Sequence, residues 1–400
     1  MKFSREPKIE KLCIAMGTDP EVFAFNKNKL LPAFSYLPAK MDSEFENIDS
    51  SYHFEKSIRS FWDGFQAEFE IYQGITCIMQ LQSCIRGGLQ QVLNKARKKY
   101  PGAKLSIKNT VDVEQSLLEQ LPEAFVSFGC MPSYNIYKTK PLEIPDPRLL
   151  LKRFAGGHMH FSYIMGYRNR HTTLKKGFVK PLKELDSSIG WLDQIAGIWS
   201  VGAAANIDDP YRRKFYGRAG EYRGSLEVQK VVYNEDTEDE YTEEFQHFEW
   251  RTPSNFWLSH PAVCGAMFDI ARQALRYGYF IKKMDLPKWT SPGLLEVAEI
   301  INKCDIKAAR QILSENKDTL DWLLSNAGKL YQDLSTAFPS VRKAIFEMGM
   351  EGIEKFIVNP DDIERNWLLN KNYEQAGWKN DRIQNGVYDM FFDGPRGDND

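Results

Sequence analysis

The sequence predicts an α+β fold: a mostly antiparallel sheet backed by helices, followed by a C-terminal helical subdomain. Three observations predict it. Extended and helical segments mix through the first two thirds without the regular strand–helix beat of a parallel sheet. Polar side chains recur two residues apart on several extended segments, the period of a strand. From Ser291 to about Phe356 apolar residues recur at helical spacing throughout.

In chain order, "LCIAMGTDPEVFAF" (12–25) reads as a strand kinked at Gly17 and Pro20. "SFWDGFQAEFEI" (60–71), "KLSIKN" (104–109), "AFVSFGC" (124–130), "RFAGGHMHFSYI" (153–164), "EYRGSLEVQ" (221–229) and "HFEWRT" (247–252) read as extended. Helical patterns cover 75–99, about 182–203 and 260–283. The acidic run "NEDTEDEYTEE" (234–244) reads as a solvated loop between two strands, with a lid as the other reading, and the tail "DGPRGDND" reads as disordered. These elements divide the chain into a catalytic domain at 1–285, a helical subdomain at 286–360 and a C-terminal segment at 361–400.

Composition narrows the function. The 400 residues carry 52 Lys+Arg against 54 Asp+Glu, a net charge of -2. That balance argues against general nucleic-acid binding, which needs a basic surface, but leaves room for a local anion site. Cys13, Cys77, Cys84, Cys130, Cys264 and Cys304 are scattered without a C-x-x-C pair, so they predict reduced thiols and a cytoplasmic setting. The N-terminal stretch is too charged for a signal peptide, and no apolar run reaches membrane-span length.

Five segments each place polar groups at i and i+2: Asp19/Glu21, Gln66/Glu68, His158/His160, Glu221/Arg223 and Glu249/Arg251. Such pairs share one sheet face, and the expectation is that all of them project from the same face. A solvated face is usually Lys, Glu, Thr and Ser. Carboxylates and imidazoles converging with guanidinium suit a divalent cation and phosphate instead: carboxylates hold hard cations, and Arg forks neutralise a transferring phosphoryl group. The stretch "RRKFYGRAGEYR" (212–223) concentrates arginines around Gly217 and Gly220 and ends on Glu221-Tyr222-Arg223. Glycine lets backbone approach an anion closely, so this loop is expected at the phosphate. A surface turn with solvated arginines is the competing reading.

Six short motifs stand in order: "GTDPE", "DGFQAE", "GCMP" (129–132), "GGHMH", "RRKFYGRAGEYR" and "EWRTPS", spanning roughly 14–260. The set resembles the phage-type carboxylate-amine ligase type 2, or amidoligase type 2, branch of the glutamine synthetase and glutamate-cysteine ligase superfamily. Asp19 stands where the wider superfamily has Glu. The resemblance implies a curved, glutamine synthetase-like antiparallel sheet whose concave face holds ATP and two or three Mg²⁺ ions. It implies an ATP-dependent carbon–nitrogen ligase that makes an amide or isopeptide bond through an acyl phosphate, releasing ADP and phosphate. Partners would be a carboxylate and an amine, each a small molecule, a peptide or a modified macromolecule, in the host cytoplasm if the protein is phage-encoded.

Roles carried over by position put Glu21 and Glu68 on one Mg²⁺, and Asp19, His158 and Glu249 on another. His160, Arg212, Arg218 and Arg223 would meet the nucleotide; Arg223, Arg251, Arg213 and Glu221 would serve the chemistry. Asp63 is either near the substrate or a turn residue of an Asp-Gly pair, and Cys130 is a packing residue. Two other readings stay open: a metal-dependent amide hydrolase built on the His-x-His pair, and a non-catalytic scaffold or virion protein that keeps a ligase fold.

Overall fold

The computed structural model describes residues 12–47, 57–71, 75, 78–126, 133–137, 146–165, 183–224, 228–234, 239–282, 285–331 and 339–368. The strands are Leu12–Thr18 (β1), Glu21–Asn26 (β2), Lys29–Leu31 (β3), Glu46–Asn47 (β4), Ser57–Asp63 (β5), Gln66–Ile71 (β6), Lys104–Ser106 (β7), Thr110–Asp112 (β8), Tyr134–Asn135 (β9), Lys152–Phe154 (β10), Met159–Met165 (β11), Glu221–Gly224 (β12), Val228–Asn234 (β13) and Asp239–Trp250 (β14). The helices are Ile78–Lys99 (α1), Gln115–Gln120 (α2), Glu123–Val126 (α3), Lys183–Trp191 (α4), Ile198–Ala204 (α5), Pro261–Phe280 (α6), Leu294–Lys303 (α7), Ile306–Glu315 (α8), Lys317–Tyr331 (α9) and Pro339–Glu351 (α10).

Every described strand pairing is antiparallel, and the fold is mixed α and β. One sheet runs β1-β11-β14-β12-β9, with β13 on β14; a second runs β3-β2-β6-β5-β4, with β7 on β2; β8 and β10 form a separate pair. The chain passes from the first sheet to the second at Asp19-Pro20, between β1 and β2. Proline lacks the N–H a ladder needs and fixes φ, so the expected kink is a strand break instead.

Other expectations change for similar local reasons. Residues 60–71 are not one strand but the hairpin β5–β6, turning at Gly64 with φ 63°. The strand expected at 124–130 begins as the one-turn helix α3, and residues 127–130 lie outside the described residues, as does the rest of "GCMP". The acidic run is not a free loop, because β13 and β14 pair from Val228↔Phe245 to Asn234↔Asp239. Its residues 235–238 and the tail "DGPRGDND" lie outside the described residues.

The core is continuous across the expected boundary at 286. One cluster of buried apolar residues includes Ile14 and Met16 of β1, Phe161 of β11, Trp199 of α5, Ile301 of α7, Leu313 of α8 and Met348 of α10. α6 is the middle of it, with nearly every residue from Pro261 to Phe280 buried. α5 and α10 touch backbone to backbone: a Cβ on Gly202 would lie 2.2 Å from the Gly349 carbonyl oxygen. The late helices therefore share the sheets' core. Fully burying one of their Leu, Ile or Phe side chains contributes about 1.5–3 kcal/mol. Among the described residues no helix is long and apolar enough to cross a membrane.

Candidate active site

The register of the first sheet builds the site. Gly17, His160, Glu249 and Arg223 are direct partners in one row across β1, β11, β14 and β12. Directly opposed residues share a face, and period two then adds His158 and Arg251 to it. The residues between them turn the other way: Met159 and Trp250 are fully buried in the core.

On that face, just past the end of β1, Asp19 Oδ1 lies 2.8 Å from His160 Nε2 and 3.4 Å from His158 Nδ1. Glu249 Oε1 lies 3.2 Å from His158 Nδ1 and 3.3 Å from Arg251 Nε, and Glu249 Oε2 lies 3.5 Å from Arg223 Nη1. The Arg251 side chain is buried, whereas that of Arg223 is 32% exposed and can still meet a ligand. Burial would raise the Asp19 carboxyl, but the charge of His160 and the contacts with the His158 and His160 imidazoles outweigh it and hold Asp19 well below its usual range. Burial would depress His160, and Asp19 and Glu249 raise it on balance.

The second sheet supplies a second acidic group. Glu21 and Glu68 face each other directly across β2 and β6, and Asp63 comes from the end of β5. Tyr216 Oη donates to Glu21 Oε1 at 2.7 Å, and the Gly156 N–H donates to Glu21 Oε2 at 2.7 Å. Burial pushes Glu68 well up, and the negative charges of Asp19, Asp63 and Glu21 add to it against the opposing pull of Lys40. Lys40 does not offset the burial and the like charges around this carboxylate.

These donors fit divalent cations. Asp19, His160 and Glu249 form one group, and Glu21, Asp63 and Glu68 another; within each, the ligating atoms lie within 4.8 Å of one another. Glu249 Oε1 is buried and has no hydrogen bond among the described residues. Oxygen-rich sets with an occasional imidazole suit Mg²⁺ or Mn²⁺ rather than structural zinc.

The arrangement differs from the sequence-level expectation in three ways. Asp19 and Glu21 are not an i/i+2 pair on one strand, because the Pro20 break sends each to a different sheet and a different group. Asp63 joins Glu21 and Glu68. His160, which was expected at the nucleotide, groups with Asp19 and Glu249, with His158 Nδ1 beside it.

The arginine block also departs from expectation. Arg212 and Arg213 are buried in the short 3₁₀ turn Arg212–Lys214. Arg213 donates to the carbonyls of Gly217 and Thr252 at 2.8 and 2.9 Å and to Asp208 Oδ2 at 2.6 Å. Arg212 donates to the Thr252 and Tyr216 carbonyls and sits 3.6 Å from Asp208 Oδ1. Glu221 accepts from the Gly217 N–H and from Arg218 Nε at 3.1 and 2.9 Å. Gly217 has φ 67°, and a Cβ there would lie 2.0 Å from Arg212 Nη1. The glycine makes room for a buried guanidinium, not for an anion. Arg212 and Arg213 thus tie the turn to Thr252 just past β14, Arg218 and Glu221 close the turn on itself, and among the arginines of the stretch Arg223 is the one that reaches the carboxylate row.

The sequence matches no known protein family and no curated protein. Among the solved structures similar to this chain is the complex between prokaryotic ubiquitin-like protein Pup and its ligase PafA, at 11% identity and a TM-score of 0.39. The match covers 85% of this chain, which spans only 62% of that one.

Three residues near the site were missed in the sequence. Tyr216 lies between Glu21 and His158, 2.6 Å from His158 Nε2. Its signal was its place inside the Tyr-Gly turn of the arginine block. Lys40 Nζ lies 3.3 Å from Glu70 Oε2 and 4.0 Å from Glu68 Oε1, on a 3₁₀ turn with no motif around it. Asp193 is buried in the π-helical turn Leu192–Gly197 behind the sheet, where it accepts from Trp250 Nε1, Thr252 Oγ1 and Tyr137 Oη. Such turns are rare within α-helices and frequently sit at functional sites.

Proposed function

We propose that this protein is an ATP-dependent carboxylate–amine ligase. The observation that carries the reading is the convergence of five separated motifs on two adjoining carboxylate groups, flanked by Arg223 and Arg251. The order of those motifs resembles the type 2 amidoligases, and two oxygen-rich donor groups of this kind support a divalent-cation site.

In this reading Glu21, Asp63 and Glu68 hold one Mg²⁺, and Asp19, His160 and Glu249, with His158, hold another. The ions neutralise phosphate oxygens and the charge that develops on them. Arg223 meets the γ-phosphate from the half-exposed edge of the row, and Arg251 backs Glu249 from the core. A substrate carboxylate oxygen bonds to the γ-phosphorus as the bond to the β–γ bridging oxygen breaks, giving an acyl phosphate and ADP. The amine then adds to the acyl carbon, loses a proton, and phosphate leaves. The carboxylate and amine are small molecules, peptides or groups on a macromolecule. Arg212, Arg213, Arg218 and Glu221 hold the turn that carries Tyr216 and Arg223.

The test is product analysis with pools of amino acids and amines. ADP and phosphate, formed only with Mg²⁺, ATP and both substrates, support the reading. AMP and pyrophosphate would indicate an adenylating enzyme. Amide cleavage with Zn²⁺ and no ATP would indicate a hydrolase, and the absence of nucleotide binding a scaffold.

A further inference from the structure

We propose that Tyr216 is a positioning residue that fixes which nitrogen of His158 faces the cation site, and that this atom is Nδ1. The inference rests on the metal-dependent reading above and adds to it the tautomer and its cause.

Proton counting leads there. The Tyr216 hydroxyl has one proton and lies 2.7 Å from Glu21 Oε1 and 2.6 Å from His158 Nε2. The hydroxyl donates that proton to Glu21 Oε1. The hydroxyl oxygen must then accept at the other contact, which places a proton on His158 Nε2. In neutral His158 this leaves Nδ1 bare. Nδ1 lies 3.4 Å from Asp19 Oδ1 and 3.2 Å from Glu249 Oε1, both acceptors as well. Three lone-pair donors turned on one point suit a cation. The arrangement follows a general rule of metal-binding histidines, in which the hydrogen bond at one ring nitrogen selects the other as ligand.

The surroundings preserve this geometry. The Glu21 N–H donates to the Gly156 carbonyl at 3.0 Å, and the Gly156 N–H returns a bond to Glu21 Oε2. A Cβ on Gly156 would lie 2.5 Å from His158 Nε2 and 2.9 Å from Tyr216 Oη, so any larger residue would push the imidazole and phenol apart. The Tyr216 N–H donates to the Arg212 carbonyl at 2.8 Å, and Arg212 Nη1 donates to the Tyr216 carbonyl at 3.4 Å. The buried arginine turn thus anchors the tyrosine that bridges the two acidic groups.

Two measurements on the full chain test this. Long-range ¹H–¹⁵N spectra of ¹⁵N-histidine protein, with the His158 signals assigned by their loss in His158→Gln, should show the Nε2–H tautomer in metal-free wild type. The Tyr216→Phe variant should lose that preference and bind Mn²⁺ about tenfold more weakly by paramagnetic resonance, the scale for outer partners of a ligand. Glu21→Gln is the control. If wild type binds no Mn²⁺, the metal reading itself fails and this inference with it. If wild type binds Mn²⁺ and Glu21→Gln weakens it, but His158 is an imidazolium or carries its proton on Nδ1, the Tyr216 inference alone is overturned. Equal Mn²⁺ affinity in Tyr216→Phe and wild type overturns it as well.

Discussion

Asp208 and Glu68 are both buried carboxylates, and their neighbourhoods point opposite ways. Asp208 is met by Arg213 at 2.6 Å and Asn109 at 2.6 Å, with Arg212 at 3.6 Å. Burial would raise it, and the arginines pull it below its usual range. Glu68 is met by Glu21, Asp63 and Asp19, and stands well above its usual range. The first region is electrostatically complete and belongs to the architecture. The second carries like charges with Lys40 as its nearby cation, and is stable as built only if a further cation or a proton joins it. A buried charge is therefore informative through its partners, not through its burial.

The largest expected effect tests the incomplete region. Glu68→Gln should lower Mg²⁺-dependent ADP release by on the order of 10²–10³, comparable to losing a main electrostatic contact in a transition state. In EDTA the same variant should melt at or above the wild-type temperature, because like-charge repulsion is relieved. A variant that melts lower in EDTA while keeping its turnover would make Glu68 a structural residue.

The complete region should respond the other way. Arg213→Met leaves Asp208 with a weakened partner set and removes two carbonyl contacts. Breaking a buried pair in this manner costs about 3–5 kcal/mol. Denaturant unfolding should show that loss, with residual folded protein retaining ATP affinity. If Arg213→Met instead unfolds like wild type and loses ATP binding, the arginine contacts the nucleotide after all, and the contrast with Glu68 collapses.

Arg223 is the intermediate case, half-exposed and close to Glu249. Arg223→Lys keeps the charge and loses the planar fork. Turnover should fall by on the order of 10²-fold, with ATP affinity changing far less, since the contact matters most when charge develops. Single-turnover rates beside equilibrium ATP binding separate the two. Equal losses in both would mean that Arg223 binds the ground state only.

How much of this was legible depended on whether the relevant order was local. Period-two pairs survive into the structure at His158/His160, Glu221/Arg223 and Glu249/Arg251, because alternation is intrinsic to an extended chain. It failed at Asp19/Glu21, where Pro20 ends the strand and the partners of each residue come from different sheets. "AFVSFGC" has strand-forming composition, yet its start is a helical turn, an instance of tertiary context overriding propensity. Arg212 and Arg213 read as phosphate ligands because their partners, the Thr252 carbonyl and a carboxylate next to Asp209-Pro210, are unremarkable in sequence. Guanidinium groups look alike until the acceptors around them are known.

The smallest expected effect concerns Asp193, which shares features of both regions. It is fully buried and accepts from Trp250, Thr252 and Tyr137. Burial nevertheless outweighs these donors and pushes its carboxyl up to about 6. For an acid raised on folding, the native state binds the proton more tightly than the unfolded chain. Stability from this group is therefore greatest below about pH 4 and declines as pH rises to about 6, staying lower beyond. Asp193→Asn resembles the protonated form and cannot ionise. Relative to wild type it should be nearly neutral at pH 4 and more stable by about 1–3 kcal/mol at pH 7, the scale of a two-unit shift. Urea unfolding of both proteins at pH 4, 5, 6 and 7 reads the difference directly. A variant whose deficit grows with pH would show that ionised Asp193, clamped by its donors, holds the Trp250 end of β14 in place, and would move it into the same class as Asp208.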